Sequence, residues 1–381
     1  MLPLPSSNKL DIPALSRIFD NTTNSYKLLF FRALLSLIQD GKTPDGKVNS
    51  TELAQYLLAH AWVPSVYFKL NLGTQDQIVQ HLYDLNLVAV DLSQHKGKPF
   101  TLLFEKLAKT NNSKINKQVL KYVPYRLLQP FFSAELQGIK DAEKNNLTYE
   151  LSQSQFDIVK PIYKISFIED CNLPQLTLHP DWYEYLCNNI ILVQGWAELN
   201  WTRYLQRKNP NTPSISNKLT LNTKRESLVK QRKFWDEFIS QHQPKCIFTG
   251  EQLSTANYEL DHFVPWSYVA HNQFWNLLPI LNSCNSSKSN KLPDKCFLQD
   301  FTKLHFEAVT MAIKHRRIDI IDDYITILQC PKSELTDKLK FTGKLSHVLQ
   351  TVLDSAGLQG FEPNWKWTKS ESNQHCIPNQ L

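Results

Sequence analysis

No stretch of the 381-residue sequence is apolar for long enough to span a bilayer; the best run, Leu28 to Ile38, is broken by Arg32 and Ser36. The opening residues, MLPLPSSNKLDIP, lack the basic region and apolar stretch of a secretory leader. The cysteines (Cys171, Cys187, Cys246, Cys284, Cys296, Cys330 and Cys376) are odd in number and widely spaced. They form no disulfide framework and suit a reducing compartment. Net charge is also slight. With 42 Lys and Arg against 36 Asp and Glu, the balance of +6 is too mild to argue for nucleic acid from the sum alone. There is no internal repeat. These absences lead to the expectation of a soluble, cytoplasmic protein with no membrane association.

What is present is core-forming material: 42% hydrophobic and 11% aromatic residues, enough to exclude global disorder, in a length that suits two or three domains. The fold expected is α+β and mostly helical. Residues 1–130 read as a helical N-terminal domain. Ser25 is placed to cap SYKLLFFRALLSLIQ, the GKTPDGK turn ends it, Ser50 or Thr51 opens TELAQYLLAHAW, and Thr74 opens TQDQIVQHLYDL. Such short helices build either a plain bundle, the commoner outcome, or a winged-helix-like unit. Residues 131–243 read as a helical scaffold with a basic linker. There Leu186, Ile190, Val193, Ala197, Trp201 and Tyr204 mark one apolar helix face, read as core, which Asn209-Pro210 terminates. Residues 296–381 are helical again (FLQDFTKLHFEAVTMAIKH, IDIIDDYITIL) and end in a polar tail.

Two basic stretches stand out. From Lys106 to Arg126 there are six cations and no acid, interleaved with Tyr122 and Tyr125; a phosphate-contacting surface and a solvated helix face are both open there. Between residues 201 and 233 nine cations, among them Lys224, Arg225, Arg232 and Lys233, are opposed only by Glu226. They bracket the Pro, Ser, Asn and Thr-rich linker NPNTPSISNKLTLNT, and we read those four as nucleic-acid contacts, with the solvated face as the alternative.

The chemistry lies in CIFTGEQLSTANYELDHFVPWSYVAHNQFWNLLPILNSCNSSKSNKLP, residues 246–293. Tyr258 to Phe263 alternates as a strand and Pro265 stops it; Leu277 to Leu281 is a second strand, and Asn285 to Lys291 a short helix. Neighbours on a regular strand face opposite ways, so Asp261 can face a metal while His262 faces a water near a scissile phosphate. Asn285 can add a second oxygen from the helix, or serve only as its N-cap. Carboxylate and amide oxygens are hard donors that favour Mg²⁺ or Mn²⁺. Phosphodiester hydrolysis needs a base for water and a cation for phosphate charge.

This segment resembles the HNH, or ββα-metal, endonucleases. LDHFVPWS is similar to the first block of that family, FWNLLPI to the second, and CNSSKSNKLP to the third in its Asn form. The resemblance implies a nuclease module over 244–295, with His262 as general base, Asp261 and Asn285 as metal ligands, Asn276 as the asparagine pinning the loop, and Lys288 as a phosphate contact. DNA is the implied substrate. Restriction of invading DNA is the implied role, with other subunits of a defence system as partners. A nicking endonuclease of a mobile element and a non-catalytic nucleic-acid-binding subunit are the alternatives. Many relatives bind a structural zinc through two Cys-x-x-Cys pairs. Here Thr249 and Leu281 stand where one cysteine of each pair would be, and His242 is only a weak substitute, so structural zinc is not expected. Packing by Phe248, Leu253 and Trp266 is expected to hold the hairpin instead.

Overall fold

Tyr26–Gln39 is apolar around most of its circumference, apart from Lys27 and the narrow stripe of Arg32, Ser36 and Gln39, and a helix of that composition is stable only when largely surrounded. In the computed structural model, which describes residues 4–87, 99–110, 112–167, 173–220 and 226–368, Leu28 to Phe31, Ala33 to Leu35, Leu37 and Ile38 of that helix are all buried. It is the centre of the first of two units, formed by residues 4–210 and 218–220; residues 211–217 and 226–368 form the second. Among the described residues no helix is long and apolar enough to cross a membrane.

The first unit runs α1 (Ile12–Ser16), α2 (Tyr26–Gln39), β1 (Lys47–Val48), α3 (Ser50–Trp62), α4 (Ile78–Asp84), α5 (Pro99–Thr110), α6 (Ser113–Leu120), α7 (Val123–Leu128), α8 (Asp141–Ser154), β2 (Tyr163–Ser166), β3 (Gln175–Leu178), α9 (Pro180–Asn188) and α10 (Ile190–Lys208). Helices α3, α7, α9 and α10 pack around α2. A small antiparallel sheet of order β1-β3-β2 lies in the same unit. Asn49, not Ser50 or Thr51, caps α3, accepting from the N–H groups of Thr51 and Glu52 at 3.0 and 3.1 Å. Ser25 precedes α2 but makes no side-chain cap; its hydroxyl donates to Asp76 at 2.5 Å, tying the start of α2 to the approach of α4. The apolar stripe expected on one helix is divided by Asn189 into α9 and α10. Leu186, Val193, Ala197, Trp201 and Tyr204 on it are fully buried, as a core face should be.

The second unit contains α11 (Val229–His242), β4 (Tyr258–His262), α12 (Trp266–Val269), β5 (Leu277–Leu281), α13 (Asn282–Lys288), α14 (Leu298–Lys314), α15 (Ile318–Leu328) and α16 (Lys338–Leu358). Strands β4 and β5 pair antiparallel, with Asp261 opposite Leu278 and His262 opposite Leu277, and α13 packs on the hairpin. This strand, loop, strand, helix order is the one expected from the sequence, except that α13 begins three residues early, at Asn282. The chain is thus a mostly helical α+β protein carrying a ββα module.

Helices from both sides complete the module's core. The Trp235 ring of α11 stacks on Phe274 at 5.3 Å, Phe263 meets Phe301 of α14 at 4.3 Å, and Phe248 meets Phe297 and Trp365 edge-on at 4.9 and 5.0 Å. Phe248 and Leu253 are buried as expected, whereas Trp266 is only half-buried.

Candidate active site

The pleat of β4 sets the site. Tyr258 and Leu260 go into the core, so Glu259 and Asp261, on the opposite face, both reach toward α13. Asp261 Oδ2 accepts a hydrogen bond from Lys288 Nζ at 2.7 Å, and the same ammonium donates to the His262 carbonyl at 2.8 Å. The Lys288 side chain is wholly buried, while Asp261 keeps 14% of its side-chain surface. One turn earlier on α13, Asn285 Nδ2 donates to Glu259 Oε2 at 2.5 Å. Asn285 lies inside the helix, so the alternative that it serves only as an N-cap fails. Glu259 is a member of the site that the sequence reading overlooked. The signal was there: two carboxylates two apart on a strand share a face.

His262, one residue on, turns the other way, toward the loop that joins the strands. Its Nε2 lies 3.0 Å from Asn272 Oδ1, and Asn272 Nδ2 donates to the Glu226 carbonyl at 3.3 Å, so the amide oxygen is the atom facing the ring. The loop gets there by a one-turn helix, α12, that starts after Pro265 and is ended by Ala270 in the left-handed region at φ 55°. Asn272 carried no sequence signal, because nothing in the loop fixes which residue returns to the histidine.

Asn276 is fully buried and does what a strand neighbour would do. Its backbone carbonyl accepts from Phe263 N at 2.8 Å; its side-chain Oδ1 accepts from Val264 N and its Nδ2 donates to Val264 O, both at 2.8 Å. The amide therefore extends the β4–β5 ladder past the end of β4, and this fixes the direction in which the chain leaves His262.

Cys246 and Cys284, the latter on α13, are buried and share a hydrogen bond. The Cys284 thiol, then the backbone N–H groups around Cys246, hold the Cys246 thiol down to about 5 against burial, while the same bond to Cys246, together with burial, pushes Cys284 up. His242 is occupied locally, with Nδ1 3.2 Å from the Phe238 carbonyl and its ring stacked on Phe238.

Of the four expected nucleic-acid contacts, Arg232 and Lys233 are exposed on α11, and the Arg232 guanidinium lies over the Tyr258 ring at 4.8 Å, at the start of β4. Lys224 and Arg225 lie outside the described residues, as does the polar tail beyond 368.

The match to known proteins falls on this region: residues 246–294 match the family described as HNH endonuclease. The chain is an HNH-domain protein. No curated protein and no solved structure matches it. An HNH domain is a nuclease domain, and its substrate is nucleic acid.

The HNH residues fit a hard divalent cation. Asp261, Glu259 and Asn285 offer two carboxylates and an amide on facing elements, oxygen donors throughout. Among the described residues no three His, Cys, Asp or Glu side chains converge as a metal site. A magnesium site does not require that, because the ion keeps several waters and takes one or two carboxylates together with substrate phosphate.

Proposed function

We propose that this HNH protein is a divalent-metal-dependent endonuclease that hydrolyses phosphodiester bonds in DNA and leaves 5′-phosphate and 3′-hydroxyl ends. The observation that carries this reading is the divergence of two consecutive side chains on β4: Asp261 faces α13 and its oxygen donors, and His262 faces the loop. Asp261 and Asn285 would hold Mg²⁺ or Mn²⁺, with Glu259 alongside them. When bound, such an ion neutralises phosphate charge and stabilises the leaving oxygen.

His262 takes the proton from the attacking water, and Asn272 holds its ring. Asn276 keeps the loop closed so that the imidazole stays aimed. Lys288 fixes the Asp261 carboxylate and the strand end; with its ammonium buried on those two partners, it works through Asp261 and not directly on phosphate. Lys224, Arg225, Arg232 and Lys233 track the backbone phosphates of DNA. Restriction of invading DNA in the cytoplasm, in company with other defence subunits, is the role this activity would serve.

The test is cleavage of supercoiled plasmid with Mg²⁺ by the native protein and by His262→Ala. Loss of a general base lowers the rate about 10²–10⁴-fold, with DNA affinity and thermal stability retained. Equal rates in the two proteins would overturn the assignment.

A further inference from the structure

The first unit contains a cavity of about 680 Å³ that no part of the nuclease chemistry uses. That volume lies within the roughly 300–1,000 Å³ range of small-ligand sites. Its charge is one-sided. Lys27, Lys121, Arg126 and Lys144 line it, with Asp141 as the one carboxylate of the lining, and Asp141 is already bridged to Lys144 at 2.9 Å. A second cavity of about 350 Å³ shares Lys27 and Lys144 and adds Arg17 and Asp20, so these two lysines stand where the cavities adjoin.

Lys27 is the unusual member. It is half-buried at the start of α2, and among the described residues no carboxylate comes within ion-pair distance of it. Burial, then the charge of Arg126, pushes it down to about 8, with Asp20 opposing. A half-buried ammonium without an ion-pair partner is costly to hold unless an anion is brought to it.

Besides charge, the lining carries two features that a simple anion does not need. Tyr122, 45% exposed, has the Lys121 ammonium 4.8 Å and the Arg126 guanidinium 5.1 Å from its ring centroid, which gathers an aromatic face and a guanidinium plane at one place. Carboxamides of Asn24, Gln77, Gln118 and Asn145 supply both donors and acceptors. Cations for phosphate, a planar platform for a base, and amides for base or sugar edges are the means by which proteins hold nucleotides.

We propose that this cavity binds a nucleoside phosphate, with the phosphate on Lys27 and Arg126 and the base against Tyr122. The site also gives a use to the basic stretch that runs from Lys106 to Arg126. Its exposed members Lys106, Lys109, Lys114 and Lys117 lie on α5 and α6, while Lys121 and Arg126 line the cavity. The same chemistry is offered by a free nucleotide and by the phosphorylated end of a single strand, and the proposal does not rest on the nuclease reading.

The experiment is equilibrium dialysis with the full chain carrying His262→Ala, so that no strand is cut. The probes are the ribo- and deoxyribonucleoside 5′-mono- and triphosphates, a 5′-phosphorylated single-stranded decamer, and inorganic pyrophosphate. Binding of at least one mononucleotide, weakened about tenfold or more by Lys27→Met and by the exposed change Arg126→Ala, is the expected result and assigns a free nucleotide. Binding of the decamer alone, with the same losses, assigns the strand end. Binding that survives both substitutions, no binding of any probe, or pyrophosphate binding as tightly as every nucleotide would overturn the proposal. Arg126→Ala keeps the test valid if Lys27→Met fails to fold.

Discussion

Lys288 Nζ lies 2.7 Å from Asp261 Oδ2, and of the two partners it is the ammonium that is wholly out of solvent. Removing one member of a buried pair leaves the other uncompensated, so the cost depends on which one remains. Asp261→Ala strands a buried ammonium with only the His262 carbonyl, whereas Lys288→Met leaves a carboxylate that still reaches water. Asp261→Ala is therefore expected to destabilise the second unit more, by about 3 kcal/mol against about 1–2 kcal/mol for Lys288→Met. Urea melts of the two variants check the order, and the reverse order would mean that the pair is not buried in solution.

Asn272 is expected to act on rate and not on binding. Asn272→Ala removes the amide oxygen that faces His262 Nε2, and the ring then samples other rotamers. The expected outcome is a fall in kcat of about tenfold or more with KM for plasmid DNA unchanged, and partial recovery in Asn272→Ser. A change in KM with kcat intact would place Asn272 in substrate binding.

The basic residues around α11 are expected to announce themselves through salt. Replacing Lys224, Arg225, Arg232 and Lys233 by Ala should weaken DNA binding on any sequence, and should flatten the log–log salt dependence by about one unit per lost phosphate contact. Arg232 is the most informative of the four singly, because its guanidinium already lies over Tyr258 at the head of β4. Unchanged affinity and slope would make the cluster a solvated surface.

His305 links acidity to the stability of the second unit. It is fully buried, stacked on Phe301 at 4.0 Å, with Nδ1 2.6 Å from the Tyr324 hydroxyl, and burial pushes it down to about 3 from 6.5. Between those two values the unfolded chain carries a proton on this imidazole and the folded chain does not. Stability is thus whole above pH 6.5 and declines as pH falls toward 3, by up to about 1.4 kcal/mol per pH unit from this one group. His305→Leu should lower stability at neutral pH yet flatten its decline in that window, as read from melts at pH 7, 5.5 and 4. Parallel curves for the two proteins would remove His305 from the acid response.

Most of the β4–β5 hairpin was legible because its signals are local. Alternation placed the first strand at Tyr258 to Phe263, one residue longer than β4, an apolar run placed β5 at Leu277–Leu281, and Asp261 and His262 diverge as neighbours on any regular strand must. The helix Ile318–Leu328 and the stop of α10 at Lys208, before Asn209-Pro210, were legible for the same reason. What was not legible depends on partners distant in sequence. β2 and β3 are four residues each and acquire their register only by pairing, β2 with β3 and β3 also with the distant β1. Ser25 looked like a cap but found Asp76 instead. Asn272 meets His262 only because α12 and Ala270 turn the loop back, and the burial of Lys288 is a property of α13 docked on the hairpin, invisible in a polar run such as NSSKSN.

The aromatic contacts of the hairpin with α11, α14 and Trp365 bear on what could be exchanged between proteins. A cassette cut at 244 and 295 would carry Asp261, His262 and Asn285 but would leave behind the surfaces that cover Phe248, Phe263 and Phe274. Moved to another scaffold, it would arrive with its chemistry intact and its apolar underside bare, and would aggregate or unfold unless the host supplied matching rings. The transplantable piece is longer. It starts ahead of α11 and runs past Trp365, so homologous exchange that preserves cutting is expected to break in the linker before α11 and not at the edges of the motif.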